Sequence, residues 1–242
     1  MAGHSAWKNI KHRKAAVDAK RGKIWSKCSR AIIVAAKQGG PDPKFNAVLR
    51  IAVDAAKAAN MPRDTIEKAI KKGAGGDDAD NFESVRYEGY AAGGVALIAE
   101  CLVANVNKTA PEIRTIFDKN GGNMGVPGSV SFSFNQRGVV LVPAGATAEE
   151  RLFDIALGAG AEDIEGGEEG WQVTTPATEL GRVRDALEAA GIAFDSAEVT
   201  YIPTSTVEVD SETAAKVAKL VNALEEHDDV QKVHINAEIP DA

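Results

Sequence analysis

The sequence predicts an α+β fold: an N-terminal helical (three-helix) domain followed by two ferredoxin-like α/β domains, one inserted into the other. Three observations predict it. At 242 residues and 44% hydrophobic composition the chain has room for more than one core. Up to residue 76 the apolar positions step by three and four between glycine and proline stops, whereas beyond Asn81 strand patterns alternate with helical ones. The order β-α-β-β-α-β, that of the ferredoxin-like motif, sits between two separated β-α-β units. The expected domains are 1–76, basic and helical; 82–135 with 205–242, split; and 137–203, inserted.

In the first domain, Lys14 to Gln38 lacks proline and places Ile24, Cys28, Ile32 and Ala35 on one arc before Gly39-Gly40-Pro41 ends the helix. A second helix, from about Pro43 to Ala59, is expected to bury Phe45, Val48, Leu49, Ala52, Val53 and Ala56 on one face. A third opens near Pro62, runs through Ile66, Ala69 and Ile70, and stops at Gly73. The glycine- and aspartate-rich stretch after it reads as a hinge.

In the split domain the expected order is a strand at Val95–Val103, a helix to about Asn120 opened by a Thr109/Glu112 capping box, and a strand at Ser129–Phe134. It resumes with a strand at Thr206–Val209, a helix at Glu212–Glu226 and a strand at Val230–Ala237. The inserted domain reads as strand Gly138–Val142, helix Thr147–Leu157 with a Thr147/Glu150 capping box, and strands Ala161–Glu165 and Trp171–Thr174. Helix Pro176–Ala190 and strand Glu198–Ile202 complete it.

Charge is segregated along the chain. Residues 1–76 carry 17 Lys+Arg against 5 Asp+Glu, a net +12; residues 77–242 carry 11 against 30, a net −19. Such asymmetry points to a polyanionic partner held by the N-terminal part, because the acidic remainder repels phosphate. No apolar run approaches the ~20 residues of a membrane span, and the opening segment has no signal-peptide pattern, so a cytoplasmic location without membrane contact is expected. Cys28 and Cys101 read as reduced core thiols. The four histidines are too scattered for a zinc site. No nucleophile elbow, dinucleotide fingerprint or paired-carboxylate arrangement emerges. We expect no catalytic residues, metal, cofactor or small-molecule substrate.

The densest signal is nine cations in the first 30 residues, with Asp18 the sole acid among them. At roughly 100° per residue, Lys20, Lys23, Lys27 and Arg30 fall within an arc of about 80°, beside the apolar arc. A row of cations suits a phosphate backbone because each neutralised phosphate releases condensed counterions. Trp7 and His12 are available to stack on bases. A second candidate is the loop from Asn120, where Gly121, Gly122, Asn123 and Gly125 let backbone amides approach a ligand. A tight turn is the favoured reading, and ligand contact the alternative.

The opening Met1-Ala-Gly-His-Ser-Ala-Trp-Lys-Asn-Ile-Lys-His-Arg-Lys-Ala-Ala resembles the N-terminus of the YebC/PmpR family. The resemblance continues through Asp18-Ala-Lys-Arg-Gly-Lys, Ala59-Asn-Met-Pro-Arg-Asp-Thr-Ile-Glu-Lys-Ala-Ile, Tyr87-Glu-Gly-Tyr, Gly121-Gly-Asn-Met-Gly and Asp228-Asp-Val-Gln-Lys-Val, and so spans nearly the whole chain. The family usually has Lys where Ala6 stands and often Trp where Phe132 stands. The resemblance implies a helical domain followed by two α/β domains, one inserted in the other. It also implies a regulator of gene expression, described in the family as a DNA-binding transcriptional regulator and, for a mitochondrial relative, as a translational activator. It carries weight onto His4, Ser5, Lys8, Lys11, His12, Arg13, Lys14, Lys20, Arg21 and Lys23. With Lys27 and Arg30 from the helical row, these are the expected nucleic-acid-binding residues.

Two partners fit. Ribosomal RNA or tRNA, held at the ribosome as a translation factor would hold it, suits an acidic body lodged among basic ribosomal proteins. Duplex DNA is the alternative, although no helix offers a clear row of Arg, Asn or Gln for base edges. RNA is the favoured expectation.

Overall fold

The structure, a computed structural model, describes residues 21–75 and 81–238. These fall into two compact units, one formed by 135–202 and the other by 21–75, 81–134 and 203–238.

The larger unit opens with α1 (Arg21–Gly39), α2 (Ala47–Ala58) and α3 (Arg63–Ala74). They bury a shared core of Ile32, Ile33, Ala36, Leu49, Val53, Ala56, Ile66 and Ala69. Gly73 lets α3 approach α1 closely: a Cβ there would lie 2.5 Å from the Ile33 carbonyl oxygen. Trp25 packs against this core and donates its Nε1–H to the Ala59 carbonyl at 3.0 Å. The expected buried face of α2 is corrected in one respect. Leu49, Val53 and Ala56 are buried, but Phe45 and Val48 are 88% and 62% exposed. The stripe at 49, 53 and 56, with half-buried Ala52 beside it, faces the other helices, and the chain ahead of it turns outward.

Next come β1 (Glu83–Tyr90), β2 (Ala96–Val103), α4 (Val106–Lys119) and β3 (Asn123–Met124). The unit resumes after residue 202 with β8 (Val207–Glu208), α7 (Ser211–Glu225), β9 (Val230–Ile235) and β10 (Ala237–Glu238). The main sheet has the order β3-β1-β2-β9, with β1 and β2 a full antiparallel hairpin from Glu83↔Val103 to Tyr90↔Ala96. Strand β2 is buried on both faces over Ala96–Ala99 and alternates only beyond them. Its Leu97, Ala99, Cys101 and Val103 share the core with Ile113 and Phe117 of α4 and with Val217, Leu220 and Leu224 of α7.

The smaller unit contains most of β4 (Phe134–Pro143), then α5 (Glu149–Gly158), β5 (Asp163–Gly167), β6 (Gly170–Pro176), α6 (Leu180–Ala189) and most of β7 (Ser196–Pro203). The sheet order β5-β6-β4-β7 is that of a ferredoxin-like motif: counted along the chain, second, third, first, fourth. Phe153 of α5 meets Trp171 of β6 edge-on, centroids 5.9 Å apart. The split sheet has the same spatial order, but its third place is taken by β1, which comes before the first β-α-β unit instead of between the two. The α+β fold class is as the sequence predicts, and β1 is the addition to it.

Four local expectations are corrected. Ser129–Phe134 is not a strand; a single 3-10 turn at Ser131–Ser133 leads into β4. The strand near residue 207 pairs in parallel with β10 in a separate two-stranded sheet. Helix α4 starts a turn early, capped by Asn105, whose side chain accepts from the Lys108 amide. Helix α5 has no side-chain cap, and the Thr147 hydroxyl is buried without a hydrogen-bond partner. Among the described residues no helix is long and apolar enough to cross a membrane.

Candidate nucleic-acid interface

Of the expected binding residues, His4, Ser5, Lys8, Lys11, His12, Arg13, Lys14 and Lys20 lie outside the described residues, and Arg21 is the first residue of α1. The remaining three, spaced by four and three along α1, converge on one place. Lys23 Nζ donates to the Glu226 carbonyl at 2.8 Å and Lys27 Nζ to the Glu225 carbonyl at 2.7 Å. Arg30 Nη1 donates to the Asp228 carbonyl at 2.8 Å and pairs with Asp229 Oδ1. Its guanidinium also lies over the Phe82 ring, 5.2 Å from the centroid.

The reason lies in α7. The last carbonyls of a helix have no intrahelical partner and carry the negative end of the helix dipole. Helix α7 has no basic residue in its last turn. Cations from α1 supply what α7 lacks: Lys23, Lys27 and Arg30 each donate to a backbone carbonyl at or just beyond its end. Burial pushes the Lys27 ammonium below its ordinary value, with Glu225 pulling it back up.

Asp229 is the hub of this contact. Its Oδ2 accepts the Thr109 hydroxyl at 2.6 Å, and its amide donates to His227 Nδ1 at 3.2 Å. His227 Nε2 in turn lies 3.1 Å from Glu112 Oε2. Burial pushes the Asp229 carboxyl up, but the Thr109 hydroxyl and the Arg30 guanidinium outweigh it and hold the group below the usual carboxylate range. Nearby, burial and the Asp229 charge push the Cys101 thiol up to about 12, and burial raises Cys28 as well. Neither thiol is tuned for nucleophilic attack.

The glycine loop is likewise occupied from within. Gly121, at φ +73, follows the end of α4, and Gly122 donates back to the Phe117 carbonyl at 2.9 Å. A Cβ on Gly122 would sit 2.7 Å from Leu220 Cδ2 and 2.9 Å from the Tyr90 carbonyl oxygen. Asn123 pairs with Tyr90 in the sheet, and the Gly125 amide donates to the Glu88 carbonyl at 2.8 Å. The amides of Gly128, Val130 and Ser131 all point at one anion, the Glu88 carboxylate, at 3.0, 2.9 and 3.0 Å. Glu88 is only 5% exposed. Burial raises its pKa, but the three amide donors and Arg86 hold it below the ordinary value. Glu88 is the functional-looking residue that sequence reasoning missed. Its signal was present in Tyr87-Glu-Gly-Tyr, an acid among residues of strand type.

Family models match almost the whole chain: one described as the TACO1/YebC protein N-terminal domain over residues 5–76, the other as the TACO1/YebC second and third domain over 82–237. The chain belongs to the TACO1/YebC family. Among its relatives are proteins named "probable transcriptional regulatory protein" from Aquifex aeolicus (52% identical, 100% of this chain and 97% of the relative covered) and Rubrobacter xylanophilus (51%, 99% and 96%). A crystal structure titled as a conserved hypothetical protein from Aquifex aeolicus is similar at 50% identity and a TM-score of 0.83, covering 93% of each chain. This YebC-family chain therefore shares the fold of that solved relative over most of its length. Among its described residues no group of three or more His, Cys, Asp or Glu is placed to hold a metal ion.

Proposed function

We propose that this chain is a non-enzymatic, nucleic-acid-binding regulator of gene expression. Its basic N-terminal domain holds RNA of the translation machinery, ribosomal RNA or tRNA, through His4, Ser5, Lys8, Lys11, His12, Arg13, Lys14, Lys20 and Arg21. The observation that carries this reading is the charge segregation, with the N-terminal 76 residues strongly positive and the remainder strongly negative. Three cations of α1 are spent on α7, so the binding role falls on those ahead of them. RNA at the ribosome is favoured over long duplex DNA because an acidic body is repelled along a duplex. In addition, none of α1, α2 and α3 presents a row of Arg, Asn or Gln for base edges. A second reading, DNA-binding transcriptional regulation, is favoured by the names of the relatives.

Replacing Lys11, Arg13, Lys14, Lys20 and Arg21 by Ala should abolish binding while leaving thermal unfolding nearly unchanged. If about five phosphates are neutralised, wild-type affinity should fall on the order of a hundredfold between roughly 50 and 200 mM salt. Unaltered binding in the five-site variant rejects the site. Cosedimentation with ribosomes, set against selection of a duplex sequence, separates the two readings.

A further inference from the structure

The connection between α1 and α2 holds out an aromatic ring that packs on nothing. Phe45 is 88% exposed, and Val48 nearby is 62% exposed. Phe45 precedes the N-cap Asn46, a position from which an apolar side chain ordinarily folds back onto the helix. Its partner position here is Arg50, and the ring stays outside. The turn that carries it is rigid. Asn46 is buried; its Nδ2 donates to the carbonyls of Ala35 at 2.8 Å and Gly40 at 2.9 Å, and its Oδ1 accepts the Leu49 amide at 3.0 Å. The Phe45 and Asn46 amides both donate to the Asp42 carbonyl at 3.1 Å, and the Lys44 amide donates to Asp42 Oδ1 at 2.9 Å. Pro41 and Pro43 fix two further φ angles.

We propose that Phe45, with Lys44 beside it, is a stacking platform for an unpaired nucleobase, so that the helical domain takes single-stranded RNA. This rests on the nucleic-acid reading above and specifies the form of the ligand. Charge favours such an occupant. Residues 21–75 hold 12 Lys+Arg against 4 Asp+Glu. Setting aside the pairs Lys57–Asp54 and Arg63–Glu67 and the three cations engaged at the end of α7, seven Lys+Arg remain against Asp42 and Asp64. Lys44 is exposed, and its ammonium makes no hydrogen bond among the described residues. Size favours it too. A phenyl ring offers at most ~150–250 Å², and beyond Val48 the exposed apolar positions of α2 include the small Ala55 and Ala58. That falls well short of the ~800 Å² per partner of a stable protein interface, but it matches one or two bases. In a duplex the base faces are already stacked, so the ring has nothing to cover there.

The test measures affinity of the full chain for a labelled oligouridylate of about fifteen nucleotides and for an RNA duplex of the same length. Phe45→Ala should weaken the single strand by about tenfold, within the range of one base–aromatic stack, and leave the duplex unchanged. Phe45→Trp should restore the single strand. Ultraviolet crosslinking should place a uridine adduct on the tryptic peptide Phe45–Arg50. Single-strand affinity unchanged in Phe45→Ala, with no adduct on that peptide, overturns the platform, even if self-association or capture of a protein is lost instead. If that variant is unchanged while the five-cation variant loses binding, the general reading survives and only the platform falls. If the wild type binds neither probe, both fall.

Discussion

Glu88 shows how a single buried carboxylate shapes a loop. Three amides of the loop after β3 converge on it, and its residue is 5% exposed. A buried charge is tolerated only when it is fully hydrogen-bonded. Here the charge also removes three amides that would otherwise invite an external anion. Glu88→Gln keeps the shape but aims an NH₂ group at amide donors, so we expect a loss of about 1–3 kcal/mol at neutral pH. The folded carboxyl titrates below its unfolded value, so its stabilisation is present above the unfolded value of ~4.3 and fades as pH falls through the folded one. The gap between wild type and Glu88→Gln in urea unfolding should therefore narrow in acid. A gap that is the same at neutral and acid pH would show that shape, not charge, holds the loop. The sequence shows an acid among strand-type residues, but not its burial, because an acid between Tyr87 and Gly89 reads as a solvent-facing residue. Only the register, with Glu88 opposite Ile98 inside the sheet, reveals its burial.

At the scale of elements, the joint between α1 and α7 is made of charge against helix end. Arg30 and Asp229 are each less than one-fifth exposed at the side chain, which places the pair between a surface bridge and a buried one. Removing one partner from a fully buried pair costs 3–5 kcal/mol; for Arg30→Ala we expect about 2 kcal/mol. A double-mutant cycle with Asp229→Ala should give a coupling of about 1 kcal/mol or more at neutral pH. The coupling should vanish as Asp229 is protonated, below the ordinary ~3.9, because its folded value is depressed. Additive losses at neutral pH would mean that the two side chains contribute separately. Sequence pattern located α1, α2, α3, α4 and α7 because their apolar periodicity is strong. It missed β1, whose Tyr87, Glu88 and Gly89 are buried in succession and break the period of two. It also assigned two capping boxes by spacing alone, where Asn105 in one case and no side chain in the other does the capping.

At the scale of the whole molecule, our proposal divides the N-terminal cations into two kinds that the sequence cannot tell apart. Helical periodicity placed Lys23, Lys27 and Arg30 in one row with Lys20, and a row of that kind reads as a phosphate track. What periodicity cannot supply is the neighbour. Helix α7, nearly two hundred residues further on, ends without a basic residue and takes these three as its cap. A pair of variants separates the two kinds. Lys23→Ala/Lys27→Ala/Arg30→Ala should lower the melting temperature of the unit containing the helices and the split sheet by about 5 °C or more, at roughly 2–4 °C per kcal/mol. Its affinity for RNA should stay within about twofold at moderate salt, where charges beyond ~10 Å are screened. The five-cation variant at Lys11, Arg13, Lys14, Lys20 and Arg21 should do the reverse, melting normally and failing to bind. Calorimetry and anisotropy titration on the same preparations read both quantities. A triple variant that melts like wild type yet loses RNA would return those cations to the interface and leave the end of α7 held by something else.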